Sequence, residues 1–222
     1  ESETSKLNTW LSSVDDTTYL SFLNEVNSTT RTLSNNTNFK EKIRTIKLFK
    51  FSDNNFYSYD ELVKYENGQF VFASGKSIYL TKKTEDIKEV LFALGFVISN
   101  VNLDLYPKIK ACFTLPKDKL FFTLLEKSVA NVELSKTQKK NLIIHLATQI
   151  AEKKLADVGE ESIRSLQICH NNAGELLPLC ELIGRKYTIP KWLSAYQIKK
   201  DDYFTAHPTN PVECCADANP KT

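Results

Sequence analysis

"IRSLQICHNNAGELLPLCELI", residues 163–183, sets Cys169 beside His170. The pair reads either as a nucleophile with its base or as a buried Cys at a strand end, followed by the first polar residue of a turn. An internal comparison decides between them. "IRTIKLFKFSDNNFYSYDELV", residues 43–63, aligns with it without a gap at a constant offset of 120 (163 less 43). Ile-Arg opens both copies. Thr45 aligns with Ser165, Leu48 with Ile168, Phe56 with Leu176, and Glu61-Leu62-Val63 with Glu181-Leu182-Ile183. Each copy follows a helix and reads as strand, polar turn, short apolar segment and helical turn. Cys169 then takes the place of Phe49, and His170 that of Lys50. A position that accepts Phe or Cys is a packing position, since free Cys behaves as a small hydrophobe. Neighbours on a strand also point to opposite faces, which keeps thiol and imidazole apart. The stretch is predicted to be structural.

Outward from the two copies, helices and short strands alternate. Leu7, Trp10, Leu11 and Val14 form one helical face, and Leu20, Leu23 and Val26 continue the pattern after an N-cap at Asp15 or Asp16. Residues 30–38 read as a loop, 46–51 as a half-buried strand, and "SYDELVKY" (58–65) as one or two helical turns. "ENG" (66–68) is a hairpin-type turn beside the strand candidates "QFVFA" and "KSIYLT". Ile87, Val90, Leu91 and Leu94 mark an amphipathic helix with Thr84 as cap and Gly95 as its stop, and "FVIS" follows as a strand. Two more helices are expected over 116–129 and 135–155, the second capped by Ser135. Pro190 suits a first helical turn, and Ile189, Trp192, Leu193 and Tyr196 form its stripe. The strands lack the apolar runs of a doubly wound parallel sheet. The expected class is α+β, with two related units at 1–130 and 131–205 and an extended tail at 206–222.

The repeated pattern, written apolar-x-apolar-(F/C)-x-N-x-x-G-x-apolar-x-P-apolar-x-E-L, resembles the recurring unit of sacsin-like proteins. These are very large chains in which an Hsp90-type ATP-binding module precedes repeated regulatory segments. The second copy carries the pattern fully; in the first, Asn54 stands for the turn glycine and Ser58 for the proline. "KEVLFALGFVIS" is similar to the helix and strand that follow in such units, and "IPKWLSAYQIKKDDYF" to their LP-x-W-L segment. The resemblance covers about residues 40–110 and 160–204. The ATP-binding motifs of the Hsp90-type module are not found in the sequence. The resemblance implies a non-catalytic, chaperone-associated module of a larger cytoplasmic protein. Its partners would be neighbouring segments of that protein or another protein. A stand-alone interaction domain, or an enzyme whose site the sequence hides, are the alternatives.

Composition bounds the rest. The chain has 222 residues, 41% hydrophobic and 11% aromatic, enough for a packed core. A net charge of +2 gives no basic excess for nucleic acid, and no apolar run approaches the ~20 residues of a membrane helix. Five cysteines, an odd number in a chain this long, favour a reduced compartment over a disulfide framework. The chain begins with Glu and contains no Met, so it is expected to be processed or part of something longer.

No catalytic, cofactor-binding or metal residue is assigned. Gly75-Lys76-Ser77 is the tail of a phosphate-binding loop, but the Gly required five residues upstream is Phe70, so an exposed hairpin turn is expected. His145 has no helical metal partner, and the adjacent Cys214 and Cys215, even with His207, lack the spacing of a zinc site. The aromatic run is the stronger candidate. Phe49, Phe51, Phe56, Tyr57, Tyr59, Tyr65, Phe70 and Phe72 crowd 24 residues, and one strand face buries only half of such a run. Either helices cover both faces, or some rings form an interaction surface. Phe56, Tyr57, Tyr59, Tyr65 and Trp192 are the candidate surface residues.

Overall fold

The structure, a computed structural model, describes residues 2–33, 36–151, 158, 162, 165–170 and 176–179. The chain is α+β, as expected. It divides into two compact units, Glu1–Lys88 with Gly95–Leu120, and Glu89–Leu94 with the chain from Phe121 onward.

The first unit opens with α1 (Glu3–Leu11), α2 (Asp16–Leu33) and α3 (Thr37–Thr45). Asp15 starts α2 by accepting the Thr18 N–H at 2.9 Å, and Asn36 starts α3 by accepting that of Phe39. Helix α2 therefore runs on through residues 30–33, and α3 begins at Thr37, where a loop was expected. A cap and a buried stripe outweighed the Thr- and Asn-rich composition, which only weakly disfavours helix.

Strands β1 (Phe49–Lys50) and β2 (Phe56–Tyr57) then form an antiparallel hairpin. Asn54 makes its turn, with φ of 65°. Helix α4 (Tyr59–Leu62) is a single turn closed by a capping box between Ser58 and Glu61. The helical reading of 58–65 stops there. Val63–Glu66 is strand β3, paired with β4 (Gln69–Phe72) across Asn67-Gly68, whose φ values of 51° and 80° give a tight hairpin. Strand β5 (Ser77–Leu80) pairs in parallel with β6 (Val97–Asn102). The hairpin expected around Gly75 does not form, because β4 and β5 belong to different sheets. A parallel pair needs a long connection, here residues 81–96 with a short 3-10 turn (Glu85–Ile87) and α5 (Lys88–Ala93). Thr84 does not cap that turn; its hydroxyl accepts the Thr81 N–H instead. A bridge between Phe51 and Ser99 joins the first hairpin to β6. Helix α6 (Pro107–Lys110) completes the unit's core of Leu23, Leu48, Phe49, Phe51, Tyr59 and Ile109.

The second unit carries most of α7 (Asp118–Val129) and all of α8 (Lys136–Ala151). Ser135 starts α8: its hydroxyl accepts the Gln138 N–H at 3.3 Å, and Gln138 Oε1 accepts the Ser135 N–H at 2.9 Å. Leu142, Ile143 and Leu146 are buried along this helix, as the stripe predicted. Strands β7 (Gln167–His170) and β8 (Leu176–Pro178) form the second antiparallel hairpin. Cys169 pairs with Leu177 and His170 with Leu176. In the first hairpin Phe49 pairs with Tyr57 and Lys50 with Phe56. The two registers are identical at the offset of 120. Of the short helix expected at 178–183, Pro178 is instead the last residue of β8, its ring leaving no N–H for a helix to use; residues 180–183 and the tail from 206 lie outside the described residues.

Candidate functional site

The first hairpin sits in a cluster of rings. Phe49 meets Tyr79, Tyr106 and Phe113 edge-on at centroid distances of 5.4, 6.2 and 6.4 Å. Tyr59, expected at a surface, is 1% exposed. Its ring stacks on Phe113 at 4.8 Å, its hydroxyl donates to Thr114 O at 2.6 Å, and Arg44 lies over its outer face. The capping box at Ser58 turns Tyr59 inward, and one helical turn later Leu62 enters the same core.

The other three described candidates are accessible to different degrees. Phe56 is half-buried and meets Tyr19 edge-on at 5.5 Å. Tyr57 is half-buried; its hydroxyl donates to Asp53 at 2.6 Å, and this bond to a carboxylate raises its pKa. Tyr65 is 65% exposed and touches Phe70 at the tip of the β3–β4 hairpin. Trp192 lies outside the described residues. The expected patch is thus not one surface among the described residues. Phe56 faces a cleft, whereas Tyr65 stands on a separate ribbon.

That cleft is about 400 Å³ and is lined by Ser12, Val14, Asp16, Tyr19, Lys50 and Phe56, with Asn54 and Asn55 at the turn. The α1–α2 loop supplies one wall and the hairpin the other. Lys50 reaches Asp16 at 3.3 Å. Tyr19 joins the walls: its hydroxyl donates to Leu48 O at 3.1 Å and accepts the Lys50 N–H at 3.2 Å. Burial pushes its pKa well above the ordinary tyrosine value, so it stays neutral. The sequence reading named Phe56 but missed the cleft, because Ser12 and Lys50 are far apart in the chain and neither belongs to a motif. A second cleft of about 200 Å³ lies in the other unit, between the α7–α8 loop (Val132, Leu134) with Lys139 and the second hairpin (Gln167, Ile168, Leu176).

The remaining sequence candidates are dispersed. Gly75 takes a φ of 50° in the β4–β5 connection, and Lys76 lies half-buried with its ammonium over the Phe96 ring at 5.7 Å. His145 is buried on α8. Cys169 and His170 are consecutive residues of β7; their side chains, like His207, Cys214 and Cys215, lie outside the description. Among the described residues no three or more His, Cys, Asp or Glu side chains are placed to hold a metal ion, and no helix is long and apolar enough to cross a membrane. Comparison with family models, with curated proteins and with solved structures yields no match.

Proposed function

We propose that this chain is a non-catalytic structural or regulatory module of a larger, sacsin-like protein, acting through contacts with neighbouring segments of that protein or with another protein. The observation that carries the reading is the pair of hairpins with one register at one offset, on the residues that bear the sacsin-like pattern. A slot filled by Phe49 in one copy and Cys169 in the other belongs to a repeated scaffold, which supports structural roles for Cys169 and His170. The clefts beside the hairpins offer binding surface without a nucleophile aligned to a base among the described residues. Placement in the cytoplasm follows from the same resemblance and from the cysteine usage.

The test is binding between separately expressed parts. The reading frame that encodes this chain defines the flanking segments, and each is titrated against the purified chain by calorimetry. Saturable binding of a flanking segment, with no melting shift in millimolar ATP, is the expected result. Turnover of ATP that Lys76→Ala abolishes would overturn the reading; failure of every flanking segment to bind would overturn the contact with neighbouring segments.

A further inference from the structure

We propose that residues 12–59 and 132–179 are two copies of one structural unit, a capped helix followed by a β-hairpin with a cleft at the same place in each. The proposal concerns the build of the chain and holds whichever task the module performs. The recognisable sequence repeat starts only at residues 43 and 163. Upstream, helix α2 starts at Asp16 and α8 at Lys136, again 120 residues apart. Their caps share one bond and differ in the second, a Thr18 hydroxyl to Asp15 in α2 and the Ser135 N–H to Gln138 Oε1 in α8. Asp15 accepts the N–H of Thr18, and Ser135 accepts the N–H of Gln138.

Burial agrees at the centre of these helices, though not at every position: Glu25 is exposed where His145 is buried, and Thr29 where Gln149 is buried. Leu23 and Ile143 are both 0% exposed, and the next residues, Asn24 and Ile144, are both exposed. An exposed Ile is unusual on an otherwise apolar stripe, yet it falls where the first copy has Asn. Further on, Leu48 and Ile168 are 1% and 2% exposed, and Tyr59 and Leu179 are 1% and 9% exposed. At these described positions helix and strand thus keep one phase.

The clefts follow it too. Ser12, Val14, Tyr19 and Phe56 line the first; Val132, Leu134, Lys139 and Leu176, the residues 120 positions on, line the second. No side chain at these four positions is the same in both copies, so the opening is a consequence of backbone arrangement. The residue one turn into the helix, Tyr19 or Lys139, lines the opening in each. The chemistry of the opening has diverged. Asp16, Lys50 and Asn54 make the first cleft polar, while in the second Leu134, Ile168 and Leu176 stand beside Asn131, Glu133 and Gln167. Binding sites recur where a fold leaves a gap between elements, and lining residues then set what is bound.

Two measurements on the full chain test this, starting from a variant in which Cys112 is Ala and Cys180, Cys214 and Cys215 are Ser. In the hairpin, Leu177→Cys opposes the native Cys169 and should form a disulfide on mild oxidation, read as a loss of two hydrogens in the mass of the bridged peptide. Leu176→Cys should not. In the helices, with Cys169 also replaced by Ala, single cysteines report accessibility. Asn24→Cys and Ile144→Cys should label at least about tenfold faster than Leu23→Cys and Ile143→Cys, whose exposure requires local opening. Should a core variant fail to fold, Asn24→Cys and Ile144→Cys still have to label alike. Cross-linking through Leu176→Cys instead, or a protected Ile144→Cys beside a reactive Asn24→Cys, would break the common phase and overturn the proposal.

Discussion

Strand β1 meets β2 through Phe49 and Tyr57; strand β7 meets β8 through Cys169 and Leu177. The pairing is shared and the side chains are not. Around the first hairpin, Phe51, Tyr57, Tyr79 and Phe113 build an aromatic core, with ring centroids in contact at 5.1–5.8 Å. Within the repeat, Asn171 stands at the position of Phe51 and Leu177 at that of Tyr57, so these two rings are not kept in the second copy; Tyr79 and Phe113 come from outside the repeat. Register is therefore set by what both copies have. Each places five residues between its strands, and each puts apolar residues at the same phase, so a slip of one residue would turn the buried set outward. Ring chemistry adds packing energy to one copy without choosing its fold.

The strongest challenge to that view comes from the shared slot itself. Phe49 is 0% exposed, and Phe49→Ala should cost ~3–5 kcal/mol, a cost typical of a buried aromatic. Cys169→Ala should cost only ~1 kcal/mol. Urea melts of the two variants measure the difference directly. Equal losses would mean that the copies carry equal packing at this slot and that the aromatic cluster adds nothing.

The turn supplies the next comparison. Asn54 takes a φ of 65°, a conformation that costs most L residues ~1–2 kcal/mol and that Asn and Gly tolerate. The aligned residue in the second copy is Gly174. Asn54→Ala and Gly174→Ala should each lose ~1 kcal/mol, whereas Asn54→Gly should be close to neutral. A neutral Gly174→Ala would show that the second turn has a different backbone.

Much of this was legible in the sequence. The 21-residue repeat, the hairpin at Asn67-Gly68 and the helices α7 and α8 carry local signals: paired apolar phases, a turn dipeptide, a cap. The upstream part of the repeat was not. Asn24 and Ile144 share an exposed position but no chemistry, and at Tyr19 and Lys139 both the side chain and its burial differ. Strand β3 was hidden because "SYDELVKY" begins with a true capping box, which ends after one turn when Val63 finds Phe72 as its cross-strand partner. The first cleft was hidden because it is assembled from residues such as Ser12 and Lys50, and pairing over that separation leaves no trace in local pattern.

The capping box marks a further divergence. Ser58 holds the Glu61 N–H, and Glu61 holds the Ser58 N–H at 2.8 Å; in the second copy Pro178 takes the place of Ser58 and has no N–H to give. Ser58→Ala should cost ~1 kcal/mol. Partial burial pushes the Glu61 carboxyl up, but Lys47 and Ser58 outweigh it and hold the folded-state pKa below the ordinary value. The unfolded chain then binds more protons near pH 4, so this contribution is present above about pH 4.3 and is lost as pH falls through the folded value. Glu61 is well exposed to solvent, so Glu61→Gln should flatten the acid limb of the stability curve by only a few tenths of a kcal/mol. A limb unchanged in Glu61→Gln would remove the box from the account of what distinguishes the copies.

The smallest effect tests whether the aromatic cluster depends on rings or on hydroxyls. Tyr79 packs on Phe49 and Phe51, is 6% exposed, and its hydroxyl oxygen is buried with no hydrogen-bond partner among the described residues. Burial drives its pKa far above the ordinary value, so it stays protonated and un-ionised at any working pH. A buried donor without a partner costs free energy that an apolar group of the same shape does not. Tyr79→Phe keeps every ring contact and removes only that hydroxyl, so its melting temperature should be unchanged or slightly higher. Tyr19→Phe is the control, because the Tyr19 hydroxyl bonds both Leu48 O and the Lys50 N–H; it should lose ~1 kcal/mol or a little more. If Tyr79→Phe instead melts lower than Tyr19→Phe, the hydroxyl has a partner that matters more than the ring. The first hairpin would then be anchored by a polar contact, and its difference from the second would no longer be one of packing alone.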